Sequence, residues 1–445
     1  MKELFSLWGA DPADPLGGVV PPGGRVLLKP NWVLNYNSRG HSLDSLITHS
    51  SVLFYLADWS ARAMRGKGEV VLADAPLQGC NFGNLLKEAR VSDILQRLAA
   101  RHPGVSFEAE DWRLTVMSRN GDDGRKWSSG VAQGQRTGYE DFRANDYRLV
   151  DLGCGSFLED IAEFSNRFRV TQYKPSRMAD HHAPGKHEYL IASRVFWPDV
   201  LINVPKLKTH IKAGLTGAMK NLVGINGHKE YLPHHILGSH EEGGDCYDRS
   251  SPVRSLYDRL YDEFWESYSG LPKARRVGTH IALEFLWRFS ALLTADSTSA
   301  GSWSQNETIW RTTLDLNHIL YFSERSPRRV ITVVDGIVGG QGEGPLTPDP
   351  RPAGVLIGGE NPAYVDAVAA RVLGYNISRI PTVYQALYHR RSRFAGPYLE
   401  DYEVNLGGDW KGQVGFREVP VLDFIKPKHW RRAAGSPAAA IGSVR

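Results

Sequence analysis

Short runs of aliphatic and β-branched residues recur along this chain between helical stretches, and most of them run straight into a polar residue. That alternation constrains the fold more than any other feature, because strands and helices in regular succession favour a sheet covered on both faces. Strand patterns lie at 26–28, 69–72, 200–204, 330–334 and 354–357. They are continuously apolar rather than alternating, as expected of strands buried on both sides. Helical patterns lie at 51–64, 85–101 and 362–373. In the last, Val365, Val368, Ala369 and Val372 recur at helical spacing, with Asn361-Pro362 before them and Gly374 after.

The expected fold class is therefore α/β, a largely parallel or mixed sheet flanked by helices. Its core is placed at 20–248 and 307–425. The aromatic-rich region 249–306 reads as an inserted helical or irregular subdomain, a candidate lid. The polar, glycine-rich segment 120–137 reads as a surface loop or β-excursion, and 431–445 has the composition of a flexible tail.

Four strand patterns end in groups that a core disfavours. They deliver Lys29-Pro30-Asn31, Asp74, Pro205-Lys206-Leu207-Lys208-Thr209-His210, and Asp335-Gly336. Ligands of open α/β sheets bind at the carboxyl ends of strands, so two lysines and two aspartates carried there form a candidate site. A net charge of +4 over 445 residues says little about partners. Locally, however, residues 201–235 hold Lys206, Lys208, Lys212, Lys220 and Lys229 against the single acid Glu230.

If the chain stays extended past Pro205, Lys206, Lys208 and His210 point to one side. If the next piece is helical, Lys212, Thr216 and Lys220 share a face. Lysines interleaved with Leu, Ile and Met, and punctuated by glycine, suit phosphate or carboxylate groups. The glycines at 336, 339, 340, 342 and 344 permit a second anion-binding loop after Asp335. Glu343 there is a candidate acid/base or metal ligand. Asp366 reads as a helix-dipole partner or a site carboxylate.

Several chemistries are disfavoured. Cys80, Cys154 and Cys246 are too few and too scattered for a cysteine zinc site, an iron–sulfur cluster or a disulfide scaffold. No HExxH, GxSxG or P-loop spacing occurs. Histidines 181, 182, 187, 210, 228, 234, 235 and 240 leave an imidazole or carboxylate metal site open. The N-terminus lacks a signal-peptide core and no stretch suits a bilayer span, so a cytoplasmic location is expected.

The strings KPNW (29–32), PKLKTH (205–210), MKNLVG (219–224), VDGIVGGQGEGP (334–345) and ENPAYVDAVAARVLG (360–374) together resemble the family of domain of unknown function 362, over roughly 20–380. The resemblance implies that Lys29, Asn31, Lys206, Lys208, His210, Lys220, Asn221, Asp335 and Asp366 belong to shared motifs, without assigning roles. The ferredoxin-type cysteines that some members carry are absent from this sequence. Residues 238–245, with Trp310, Arg311, Asp315 and Asn317, resemble a subgroup associated with envelope-polysaccharide or secondary-metabolite functions.

The expectation is a cytoplasmic enzyme acting on a small anionic substrate by metal-assisted group transfer or isomerisation. Lys206, Lys208, Lys220, Asn221 and the glycines Gly340, Gly342 and Gly344 would bind the anion, and Lys29 and Asn31 would orient it. His210 is the acid/base candidate, with Lys29, Asp74 and Asp335 beside it. Asp74 and Asp335 are also the candidate ligands of a divalent ion (Mg, Mn or Zn). The competing expectation is a non-catalytic module that binds an anionic ligand within a biosynthetic assembly. Neither nucleic acid nor a membrane span is expected, and the sequence leaves the oligomeric state open.

Overall fold

Val26 and Leu28 pack into one hydrophobic layer and Leu27 into another, and Val70, Leu72 and Val71 divide in the same way. This period of two, apolar on both sides, is what a central strand requires. The computed structural model describes residues 1–120, 124–128 and 146–434. The excursion expected over 120–137 and the tail expected over 431–445 lie largely outside these residues.

Eight strands form the main sheet: β1 (Arg25–Pro30), β2 (Gly68–Asp74), β3 (Val105–Asp111), β4 (Val200–Val204), β5 (Lys206–His210), β6 (Gly214–Leu215), β7 (Arg329–Gln341) and β8 (Asp349–Gly359). β1 lies between β2 and β4, all parallel, and β3 extends the sheet beyond β2. β4 and β5 run in tandem along β7, broken only at Pro205, whose carbonyl accepts the Asp335 N–H at 2.8 Å. β8 pairs antiparallel with β7. The architecture is thus α/β with a mixed, mostly parallel sheet.

The helices Ser50–Ala63 and Val91–Arg101 cover one face, and Ile309–Phe322 packs on the other. A third hydrophobic layer joins Leu207 and Val334 to the helix Pro362–Val372.

Three local expectations need correction. The strand expected to stop at Val334 continues to Gln341, because the glycine-rich stretch pairs with β8 as a hairpin arm instead of looping out. The helix expected over 85–101 is two helices, Phe82–Glu88 and Val91–Arg101, broken where Arg90 takes φ +55°. The helix considered through Lys212 and Thr216 is confined to Gly217–Asn221, since Gly214 and Leu215 pair with β5.

In the 249–306 region two helices, Pro252–Ser267 and Lys273–Thr294, pack against each other. The second turns Ile281, Phe285 and Leu292 outward, and Phe285 is 73% exposed. No helix among the described residues is long and apolar enough to cross a membrane.

Candidate functional site

At the carboxyl edge of the sheet the polar strand ends meet in the interior. Lys29, the fifth residue of β1, is fully buried, and its Nζ lies 2.7 Å from Asp74 Oδ1 at the end of β2. The same ammonium donates to the Pro30 carbonyl at 2.9 Å. Asp74 also accepts the backbone N–H groups of Trp32 (2.7 Å) and Ala75 (2.8 Å). Burial pushes the Lys29 ammonium down and the Asp74 carboxyl up, and their mutual attraction opposes both shifts.

A second pair repeats this design. Lys206 Nζ, on β5, lies 2.7 Å from Asp335 Oδ2 on β7. Asp335 accepts the N–H groups of His49 (2.7 Å) and Ile337 (3.0 Å) as well. His49 caps the helix Ser50–Ala63, so the pair also anchors a helix start. Both aspartates, expected as metal ligands, are instead engaged by a lysine and two backbone donors. Among the described residues no group of three or more His, Cys, Asp or Glu side chains is placed to hold a metal ion.

An amide network joins the strand ends. Asn31 Nδ2 donates to Asn221 Oδ1 at 3.0 Å, and Asn221 Nδ2 donates to Asn203 Oδ1 at 2.7 Å and to the Lys29 carbonyl at 3.1 Å. Asn31 Oδ1 and Thr216 Oγ1 are buried and have no hydrogen-bond partner among the described residues.

The remaining lysines of this edge have no carboxylate in ion-pair contact among the described residues, although Asp74 acts on Lys208 and Lys229, and Asp245 on Lys212, at longer range. Lys208 Nζ donates to the Leu46 carbonyl at 2.6 Å, Lys229 to the Ala75 carbonyl at 3.4 Å, and Lys212 to the Ala300 carbonyl. Lys220 Nζ, on the helix Gly217–Asn221, has no hydrogen bond or ion pair among the described residues. Burial lowers Lys220 to about 7, with Lys229 and Lys212 adding repulsion. Lys212 and Lys229 are each lowered to about 8, chiefly by burial. Lys208 falls well below its ordinary value through burial and the neighbouring Lys206.

Two histidines flank this cluster, and their backbone contacts fix opposite tautomers. His210 Nδ1 accepts the N–H groups of Lys212 (3.0 Å) and Ala213 (3.2 Å), so its ring proton sits on Nε2. His234 Nδ1 donates to the Leu232 carbonyl at 2.7 Å, which leaves a lone pair on Nε2. Burial, followed by Lys220, keeps both rings neutral. The geometry makes His210 a donor and His234 the acceptor, a division of labour that residue type alone does not carry.

The glycines have a packing explanation. A Cβ on Gly224 would fall onto Asp74 Oδ1 and within 2.8 Å of Lys29 Nζ, and one on Gly344 would meet the Thr209 carbonyl. Gly340 sits opposite Lys208 across β5 and β7, where a Cβ would be 2.5 Å from the Ser45 carbonyl. Gly342 supplies the carbonyl that Thr209 Oγ1 bonds at 2.8 Å. Glu343 is tied to the Lys428 N–H at 2.7 Å.

Asp366 caps a helix other than its own. It accepts the N–H groups of Ala218 and of Met219 (2.9 Å), the first turn of the short lysine-bearing helix. Burial raises its carboxyl from 3.8 to about 7 despite those donors. Below about pH 4 both folded and unfolded states hold this proton. Between about pH 4 and 7 only the folded state does, so this group's contribution to stability falls as pH rises and is gone near 7. Asp366→Asn is therefore expected to make the slope of unfolding free energy against pH more positive between about pH 4.5 and 6.5. An unchanged slope would mean that the carboxyl is ionised throughout.

The family model described as a domain of unknown function (DUF362) matches residues 158–371. Those residues belong to the DUF362 family. The match is narrower than the 20–380 expected from the sequence strings. No curated protein and no solved structure matches the chain. The DUF362 segment carries Lys206, Lys208, His210, Lys220, His234, Asp335 and Asp366, whereas Lys29, Asn31 and Asp74 enter the site from strands that precede it.

Sequence reasoning grouped His234 with the candidate metal-ligating histidines and gave it no place beside Lys220, and it missed Thr48, whose Oγ1 accepts the Asn31 N–H at 2.7 Å and donates to the Val204 carbonyl at 2.6 Å. Neither stands out locally. The glycines at 214, 217, 224 and 227 suggest a closely approached backbone, and a Cβ would meet Asp366 at Gly217 and Asp74 at Gly224, but aromatic or aliphatic side chains at Gly214 and Gly227.

Proposed function

We propose that this protein is a cytoplasmic enzyme of a small anionic metabolite, which it binds through Lys208, Lys212, Lys220 and Lys229 at the carboxyl edge of the sheet. One observation carries the reading: four buried or half-buried lysines lie near one another, and none is in ion-pair contact with a carboxylate among the described residues, Asp74 and Asp245 acting on them only at longer range. Uncompensated interior cations are costly, and a phosphate or carboxylate would offset that cost. The opposed tautomers of His210 and His234 favour catalysis over simple retention, because they provide a proton donor and a proton acceptor beside one ligand. Three unpaired cysteines suit a reducing compartment.

Sulfate tests the anion site, since its charge is constant across neutral pH. It is expected to bind more weakly as pH rises through about 7, where Lys220 loses its proton. In Lys220→Met the affinity at pH 6.5 should drop about 10-fold or more, the loss of one charge-assisted contact of about 1.5–3 kcal/mol. The thermal midpoint of that variant should hold or rise, because an unpaired interior charge has been removed. Calorimetric titration that finds no sulfate binding to the wild type between pH 6 and 8 would end the proposal.

A further inference from the structure

Six lysines gather at this edge, and five have a protein acceptor: Asp74 for Lys29, Asp335 for Lys206, and backbone carbonyls for Lys208, Lys212 and Lys229. Lys220 alone, among the described residues, leaves its amine without one. An amine that served only to hold the short helix or to fill space would be tied down like its neighbours. Buried beside Lys229 and Lys212, its charged form is disfavoured, so the neutral, nucleophilic amine is reached near neutral pH, the environment that activates lysines toward carbonyl carbon.

Resting on the anion-binding reading above, we propose that Lys220 is a nucleophile that forms an imine with a carbonyl-bearing anion, such as a 2-oxo acid or an aldehyde or ketone phosphate. Lys208, Lys212 and Lys229 would hold the anionic group while the carbonyl carbon faces Nζ. The amine lone pair attacks that carbon, and the carbonyl π pair moves onto oxygen to give a carbinolamine. The proton shed by nitrogen passes to His234 Nε2, whose lone pair is free because Nδ1 is committed to Leu232. His234 passes that proton to the alkoxide and then carries the second nitrogen proton to the hydroxyl in the same way, so the oxygen leaves as water, while the His210 Nε2–H hydrogen-bonds the oxygen and keeps its proton. The balance is one amine plus one carbonyl giving one imine plus one water, with no change in oxidation state. Lys220 having been lowered to about 7 agrees with this role, and the cause is the same burial and cationic surroundings.

Reductive trapping tests the proposal on the full-length protein. Wild-type protein is incubated with pyruvate, or with glycolaldehyde phosphate, in the presence of cyanoborohydride, and the adduct is located by peptide mass mapping. The expected result is a single dominant adduct at Lys220 with at least one of the two probes. Its rate should rise with pH to a half-maximum near 7, opposite in direction to sulfate affinity, and saturating sulfate should suppress it at least 10-fold. Lys220→Arg should abolish trapping, with an unchanged circular dichroism spectrum and a cooperative thermal transition reporting that the variant is folded.

A second measurement needs no variant: competitive acylation of the wild type should give Lys220 a half-reactivity near pH 7, against surface lysines above about 10. Labelling spread over surface lysines with no excess at Lys220, or a Lys220 profile matching those lysines, overturns the proposal. In the wild type, intact sulfate binding without trapping removes the imine alone, whereas absence of both removes the anion site as well.

Discussion

Lys206→Met is expected to lower the free energy of unfolding by about 3–5 kcal/mol, the usual cost of leaving one member of a buried ion pair without its partner. Lys206 and Asp335 are both fully buried and 2.7 Å apart. Once the ammonium is removed, Asp335 retains only the His49 and Ile337 N–H groups. Two backbone donors do not replace a charge in a region that water does not reach. The double variant Lys206→Met with Asp335→Leu removes both charges, and it should recover most of the loss because neither desolvation penalty remains. Urea midpoints of the wild type, the two single variants and the double variant form a cycle. A single-variant loss under about 1 kcal/mol would mean that the pair is solvated and contributes as a surface bridge does.

Gly224→Ala should be comparably damaging for a different reason. No unusual backbone conformation is required at this position, so alanine is acceptable to the backbone itself. Space is what it lacks, because the new methyl group would occupy the position of Asp74 Oδ1 and press on Lys29 Nζ. The backbone has little freedom to retreat, since the Gly224 carbonyl accepts the Ala75 N–H at 3.1 Å. Overpacking costs about 1–3 kcal/mol where the neighbours relax. Relaxation here parts Lys29 from Asp74, which brings in the larger cost of a broken buried pair. The expected outcome is a depressed thermal midpoint together with weakened sulfate binding. A variant indistinguishable from wild type in both would refute the close packing of this glycine against the pair.

Much of the framework was legible in the residues themselves. The unbroken apolar runs at 26–28 and 200–204 identify strands covered on both faces, because only a doubly buried strand tolerates apolar side chains at consecutive positions. Lys206, Lys208 and His210 follow Pro205 in an extended segment, which meets the condition under which they share one side. The five lysines against one glutamate likewise marked a local concentration of basic residues interleaved with Leu, Ile and Met, and the fold buries or half-buries all five.

The partnerships were not legible. Lys206 meets Asp335 across 129 residues, and Ala218 donates to Asp366 across 148. Such contacts depend on strand order, which local periodicity does not encode. The glycine-rich stretch after Asp335 looks like a loop in isolation, and it became a strand because β8 offers it an antiparallel partner.

The sequence by itself determined that this chain would bury a parallel-rich sheet and carry lysine, aspartate and asparagine to one edge of it, since apolar period and local charge are properties of neighbouring residues. Tertiary structure alone decided which lysines are neutralised and which tautomer each histidine holds. It also decided that the amine of Lys220 is left without a partner among the described residues. Those outcomes depend on distances between strands remote in sequence and on burial, and both come into being only when the chain closes on itself.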